Sequence, residues 1–269
     1  MAVAMKDLDA TSNPSLRSSD VAAALGRMVG VAIDRGQNLA RYSDIAFVSV
    51  GEGCLSRVVL TRWGMKPPRK LGERTGPFDL SIHPVSTTIA LLESDFAGWI
   101  DPDRLHYSAA DGCVVNPDLA VSFNHETGEE YNEPGSFGKI RAIYERRLEN
   151  FRRVLDEAPA ICFVLHVLRP SPRIWSNVQH LSDLLRARSP RSDHLMLVLD
   201  TWQAEQEIDT SGREPIAGQN ICVVDVHYPF PGYRWWLDFS SQAGNRFERE
   251  LITQARSFVD AWRGDEPQS

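Results

Sequence analysis

The stretch Ile45-Ala46-Phe47-Val48-Ser49-Val50-Gly51-Glu52-Gly53-Cys54, followed by Leu55, Val58, Val59 and Trp63 at helical spacing, decides the fold. A short, nearly continuous apolar run reads as a strand buried on both faces, the kind found in parallel sheets. Glycines on either side of Glu52 permit a tight turn. The switch to a 3.6-residue period then places a helix after Cys54, ended by Gly64 and the Pro67-Pro68 pair.

The same grammar recurs downstream. Ala160 to Leu165, Leu195 to Leu199 and Ile221 to Val226 are further apolar strands. Amphipathic helices alternate with them. One carries Phe137, Ile140, Tyr144, Leu148, Phe151 and Leu155, and one opens at Ser171-Pro172 and carries Trp175, Val178, Leu181 and Leu185. A last helix follows Asn245-x-x-Glu248, read as a capping box. Upstream, Val21, Ala24, Leu25, Met28 and Val29 predict a helix capped by Ser18 or Ser19. The alternation predicts an α/β fold with a mainly parallel sheet and helices on both faces. Residues 64–135, rich in Pro, Gly and Asp, read as an irregular inserted segment with short pieces around 85–97 and 119–123. Residues 1–17 read as a flexible leader and 18–265 as a single α/β domain.

Composition narrows the function classes. With 269 residues, 42% hydrophobic and 24% charged, the chain can bury a sizeable core. Its net charge of -7 argues against nucleic-acid binding, which needs a clustered basic surface. The pairs Arg146-Arg147 and Arg152-Arg153 are interleaved with Glu145 and Glu149, as on a solvated helix face. No apolar run approaches the roughly 20 residues of a membrane span, and no signal-peptide pattern opens the chain. Four cysteines without a CxxC pair argue against a disulfide framework or a cysteine-rich zinc site, so a cytoplasmic setting is expected. HExxH, GxxxxGK[ST], GxGxxG after a strand and GxSxG are all missing, so the sequence calls for no metal and no cofactor.

Open parallel sheets bind ligands beyond the carboxyl ends of their strands. That rule selects Glu52 and Cys54, His166, Asp200, and the Asp225-x-His227 pair. Cys54 stands out, because the N–H groups and dipole of the following helix would lower its thiol pKa and hold an oxyanion. A nucleophilic cysteine needs a base. The candidates are His125, in Phe123-Asn124-His125-Glu126 with Glu126 as an orienting neighbour, and His227, with Asp225 beside it. Asp79, in Gly76-Pro77-Phe78-Asp79, either orients a histidine or caps a turn. His166, Cys162 and Cys222 read as core and Cys113 as a loop residue. Tyr233-Arg234-Trp235-Trp236 either walls a sugar or acyl site or closes a core edge.

Taken together, several of these segments resemble the DUF1796 family, bacterial proteins described as papain-like cysteine peptidases. The pieces are Phe47 to Cys54, Gly76-Pro77-Phe78-Asp79, Phe123-Asn124-His125, Arg146-Arg147-x-x-x-Phe151, Ile161 to Val164 and Trp235-Trp236, spread over about residues 45–240. The family pattern has an aromatic residue after Pro-Phe-Asp, where this chain has Leu80. The resemblance implies Cys54 as nucleophile and His125 as base, in Cys-before-His order. The strand–turn–nucleophile–helix layout is instead similar to SGNH-type hydrolases with cysteine replacing serine. In that SGNH/Rossmann-like layering, Asp225-x-His227 would be the late acid–base block. The expected function is a cysteine-dependent hydrolase or acyltransferase acting on an amide, ester or thioester of a small molecule, peptide or glycan. The alternatives are a non-catalytic binding protein accessory to glycan processing, or a nucleotide-sugar-dependent transferase. For the latter Gly51-Glu52-Gly53 is a poor phosphate loop, because Glu52 repels phosphate.

Overall fold

The computed structural model describes residues 18–131, 137–167, 174–202 and 220–265. In chain order the elements are α1 (Ser18–Arg41), β1 (Ile45–Ser49), α2 (Leu55–Arg62), α3 (Val85–Glu93), β2 (His106–Ser108), β3 (Cys113–Asn116) and β4 (Val121–Thr127). There follow α4 (Gly138–Glu157), β5 (Ala160–Val167), α5 (Ile174–Arg188), β6 (Asp193–Trp202), β7 (Ile221–His227), α6 (Trp235–Asp238) and α7 (Gln242–Arg263). The expected leader at 1–17 and the helix opening at Ser171-Pro172 lie outside the described residues. No helix among the described residues is long and apolar enough to cross a membrane.

Four strands form a parallel sheet in the order β1-β5-β6-β7. β5 shows why continuous apolar runs belong here. Its Ile161, Phe163, Leu165 and Val167 enter a core with α3, α4 and α5, while Cys162 and Val164 enter a second core with α2 and α7. Side chains alternate across a strand, so a run without polar interruption needs cover on both faces, and it has it. The strand order advances in one direction, which leaves β1 at one edge and β7 at the other. Three strand spacings of about 4.8 Å set those edges roughly 14 Å apart.

The described part of the inserted segment, residues 64–131, is more ordered than expected, and the pieces expected around 85–97 and 119–123 are α3 and the start of β4. It holds α3 and a second sheet, antiparallel, in the order β2-β3-β4. Two of its strands, β2 and β3, are short, and the sheet packs around aromatic rings. Phe78, Trp99, Phe123 and Tyr144 form a chain of contacts with centroids 5.4, 6.1 and 4.6 Å apart. These rings belong to the same core as one face of the parallel sheet, so the inserted segment is docked rather than appended. Cys113, expected in a loop, is a buried strand residue.

At the helix ends one local expectation holds and one changes. Gly64 has φ +80, and a Cβ there would collide with the Arg35 carbonyl, so α2 must stop on glycine where α1 crosses it. At the other end, α7 is capped by Ser241, whose hydroxyl accepts from Gly244 N, and not by Asn245. Glu248 is therefore not a capping partner. It is buried inside α7, paired with Arg62 and accepting from Trp63 Nε1 at 2.8 Å, which ties α7 to the end of α2.

Candidate active site

The site grows from the end of β1. Val50 N donates to Val164 O at 3.0 Å and Glu52 N to His166 O at 3.2 Å, so strand-like pairing with β5 continues past Ser49. Between them Gly51 presses on β5. A Cβ there would lie 2.8 Å from His166 N and 2.9 Å from its O, as well as against Leu165 Cδ1. Only hydrogen fits. Gly53 N then donates to Gly51 O at 2.8 Å, which closes the turn.

Cys54 is the residue preceding the first turn of α2, with φ −87 and ψ 2, and its carbonyl accepts from Val58 N at 3.0 Å. No side chain caps this end. The amides of Leu55, Ser56 and Arg57 thus have no acceptor within the helix. Glu52, expected at the strand end, is buried, and its Oε1 accepts from Val85 N at 3.2 Å at the start of α3. That contact spends the carboxylate on holding the inserted segment against β1.

His125 arrives from the second sheet, its Nε2 3.2 Å from Cys54 Sγ. The register of β4 on β3 explains how. Val115 pairs with Ser122 and Cys113 with Thr127, so two steps along β3 match five along β4. The surplus is a bulge over Phe123-Asn124-His125-Glu126, and a bulge re-aims the side chains it carries. Glu126, expected to orient His125, turns away from it. It is buried and accepts from Arg147 Nη2 at 2.6 Å and Tyr144 OH at 3.2 Å. Arg147 is likewise buried, not part of a solvated helix face.

The electrostatics reverse one expectation. Burial pushes the Cys54 thiol up, only partly offset by its own backbone amide and the Arg57 charge. His125 is pushed down by burial, then by the charges of Arg147 and Arg57. The resting pair is therefore a neutral thiol against a neutral imidazole, not a thiolate stabilised by the helix. Around the buried sulfur the desolvation of a thiolate outweighs one short helix end, while His125 keeps an exposed side toward solvent. The arrangement suits general-base chemistry, in which the proton moves as the sulfur attacks.

The other expected residues lie elsewhere. Asp79 is buried and accepts from Gly76 N at 2.6 Å and from Lys66 Nζ at 3.0 Å with both oxygens. It caps the turn and does not orient His125. His227 ends β7 and is exposed, in register with Trp202. Asp225 exchanges backbone bonds with the Gln254 amide. Both stand at the edge of the sheet opposite β1, too far to serve Cys54. His166 is a core residue, its Nε2 2.9 Å from Thr201 Oγ1. Tyr233 and Trp235 close the core beneath α7, whereas Trp236 is exposed.

Sequence reasoning missed a buried ion cluster next to the pair. Arg57 Nη2 lies 3.3 Å from Glu73 and Lys66 Nζ 3.3 Å from the same carboxylate, with Asp79 bridging both cations. The available signal was Arg57 three residues after Cys54, one helical turn away. Among the described residues no three His, Cys, Asp or Glu side chains gather as metal ligands do. Comparison with protein-family models, curated proteins and solved structures finds no match to this chain, so its reading rests on the geometry of Cys54 and His125.

Proposed function

We propose that the chain is a cysteine-dependent acyl-transfer enzyme, a hydrolase or acyltransferase acting on an amide, ester or thioester. The observation that carries this reading is the 3.2 Å contact between Cys54 Sγ and His125 Nε2 at the open N-terminus of α2. His125 takes the thiol proton through Nε2 as Sγ bonds to the substrate carbonyl carbon. The carbonyl electrons move onto oxygen, where the unpaired first-turn amides of α2 can receive them. Collapse expels the amine, alcohol or thiol, which leaves with the proton from the imidazolium. A thioester on Cys54 remains. Water or an acceptor then gives its proton to His125, attacks the thioester carbonyl, and releases the acyl product with the restored thiol.

The resemblance to the DUF1796 family implies the same two residues in the same order. The SGNH-like alternative would draw its base from Asp225-x-His227, and the far-edge position of β7 weighs against it. Four cysteines without a disulfide fit a reducing cytoplasm.

An activated ester tests the reading without knowledge of the substrate. On mixing with p-nitrophenyl acetate, we expect a burst of nitrophenol and an acetyl group on the Cys54 peptide by mass spectrometry. Both should vanish in Cys54→Ala and slow sharply in His125→Ala, with folding unchanged by circular dichroism. A folded protein that acquires no acyl group on Cys54 would overturn the proposal in favour of a binding role.

A further inference from the structure

A histidine on a bulge is only as well placed as the bulge, and this one is anchored from behind by α4. Phe123 packs edge-on against Tyr144 at 4.6 Å between centroids, and Glu126 accepts from the hydroxyl of the same tyrosine. Tyr144 OH also lies 3.3 Å from Leu80 O, which links the bulge to the turn at Asp79. Arg147, with its guanidinium 4.4 Å from the Tyr144 ring centre, completes the anchor through its 2.6 Å bond to Glu126.

Burying an ion pair costs desolvation that a hydrophobic pair would avoid. The pair therefore calls for a reason beyond stability, and its position supplies one. Glu126 is the residue next to His125, and Arg147 Nη1 is buried without a hydrogen-bond partner, so the cation is only half engaged. We propose that Glu126 and Arg147 are the positioning pair of the dyad: their ion pair fixes the β4 bulge on α4 and sets the charge that faces the His125 imidazole. This inference rests on the reading of Cys54 and His125 as a nucleophile–base pair.

The groups that act on His125 are the Cys54 thiol and Arg57 from α2 and Arg147 from α4, while Glu126, the next residue on its own strand, acts on Arg147. Arg57 is already balanced by Glu73 and Asp79. The free variable is the Glu126–Arg147 balance. Removing the anion alone leaves a cation that disfavours imidazolium. Removing the cation alone relieves that effect. The two changes act with opposite sign, which a merely structural anchor does not produce.

The test is the pH titration of the His125 Cε1–H proton resonance, assigned through His125→Ala. Glu126→Gln, which keeps an oxygen for Arg147, should move the midpoint down by about half a pH unit. Arg147→Gln should move it up by a similar amount, and Tyr144→Phe should leave it in place. Iodoacetamide alkylation of Cys54 at pH 7 should follow, about threefold slower in Glu126→Gln and about threefold faster in Arg147→Gln. Folding is checked by near-ultraviolet circular dichroism; if one variant does not fold, the sign of the other decides. Midpoints that stay fixed or shift together in folded variants overturn the inference. Failure of the dyad itself has a different signature, seen in the parent protein: His125→Ala leaves Cys54 alkylation unchanged, and Cys54→Ser leaves the His125 titration unchanged.

Discussion

Cys54 Sγ and His125 Nε2 meet at 3.2 Å although 71 positions separate them in the chain and each is held by a different sheet. Their distance is therefore set by how the sheets dock. The docking contacts are specific: Ile82 and Ser122 exchange backbone hydrogen bonds at 2.9 Å, and Glu52 holds the start of α3. Thr88 Oγ1 adds a bond to Val50 O at 3.2 Å.

The neutral resting state of the pair has a kinetic consequence. Burial holds the thiol above its ordinary range and the imidazole below its own. Without His125, Cys54 gains its thiolate only at alkaline pH. With His125 as proton acceptor, sulfur reacts at lower pH. At pH 7 the parent protein should alkylate at Cys54 at least about tenfold faster than His125→Ala. The two rates should converge only at alkaline pH, where the thiol ionises unaided. Equal rates at pH 7, measured by quenched-flow mass spectrometry, would remove His125 from the mechanism.

Gly51 and Gly26 make a matched contrast in urea unfolding. At Gly51 an added methyl meets the backbone of His166 at 2.8 and 2.9 Å, and strand ends cannot part without breaking the Val50 and Glu52 pairing. Gly51→Ala should cost about 1–3 kcal/mol and slow Cys54 acylation, since the turn that follows is displaced. Gly26 lies in α1 with nothing within 4 Å of an added Cβ. Gly26→Ala should be neutral or stabilise by about 0.5–1 kcal/mol. Equal costs at both positions would contradict the close approach of β1 and β5.

The parallel sheet was legible because its signal is local. The runs at 45–50, 160–165, 195–199 and 221–226 carry their own burial pattern, and all four are strands of one sheet. Cys54 was legible for the same reason, since strand, glycine turn and helix follow one another directly. The second sheet was legible only at β4, where a short piece is expected around 119–123. β2 and β3 span three and four residues, too few for a period to show, and their stability comes from rings contributed by 78, 99, 123 and 144. The bulge that aims His125 is a mismatch between two strands, which neither strand records alone. Arg147 was misread because its neighbours are charged, and only the buried Glu126 across the space explains its burial. The thiol shift was misread because helix ends are visible in sequence while desolvation is not.

The cluster of Arg57, Lys66, Glu73 and Asp79 yields a third prediction. Side-chain exposure is 6% for Lys66, 2% for Glu73 and 1% for Asp79, so the charges are balanced almost entirely by one another. Removing one buried partner strands the rest, at a cost of about 3–5 kcal/mol. Lys66→Met should fall in that range. Lys66→Met combined with Asp79→Leu should cost clearly less than the sum of the single changes, because the double variant removes a cation with its anion. Additive costs in urea titration would mean that the two side chains do not interact.

The last prediction concerns acid, and its sign follows from two buried rings. His83 is held between Ser81 Oγ at 3.2 Å and Thr88 Oγ1 at 3.0 Å, and His166 against Thr201 Oγ1. Burial alone lowers both from 6.5 to about 3. Between those values the unfolded chain binds two protons that the folded protein refuses, so stability falls as pH falls. At about 1.4 kcal/mol per pH unit for each ring well below its unfolded value, the two together should lose roughly 3 kcal/mol between pH 6.5 and pH 5. Glu126 and Glu248, which burial raises, work in the other direction and lose their contribution as pH rises. The comparison that isolates the rings is His166→Asn, which should remove about half of the acid slope in urea unfolding followed by tryptophan fluorescence. A parent protein equally stable at both pH values, with a variant of the same slope, would mean that these histidines are protonated inside the fold.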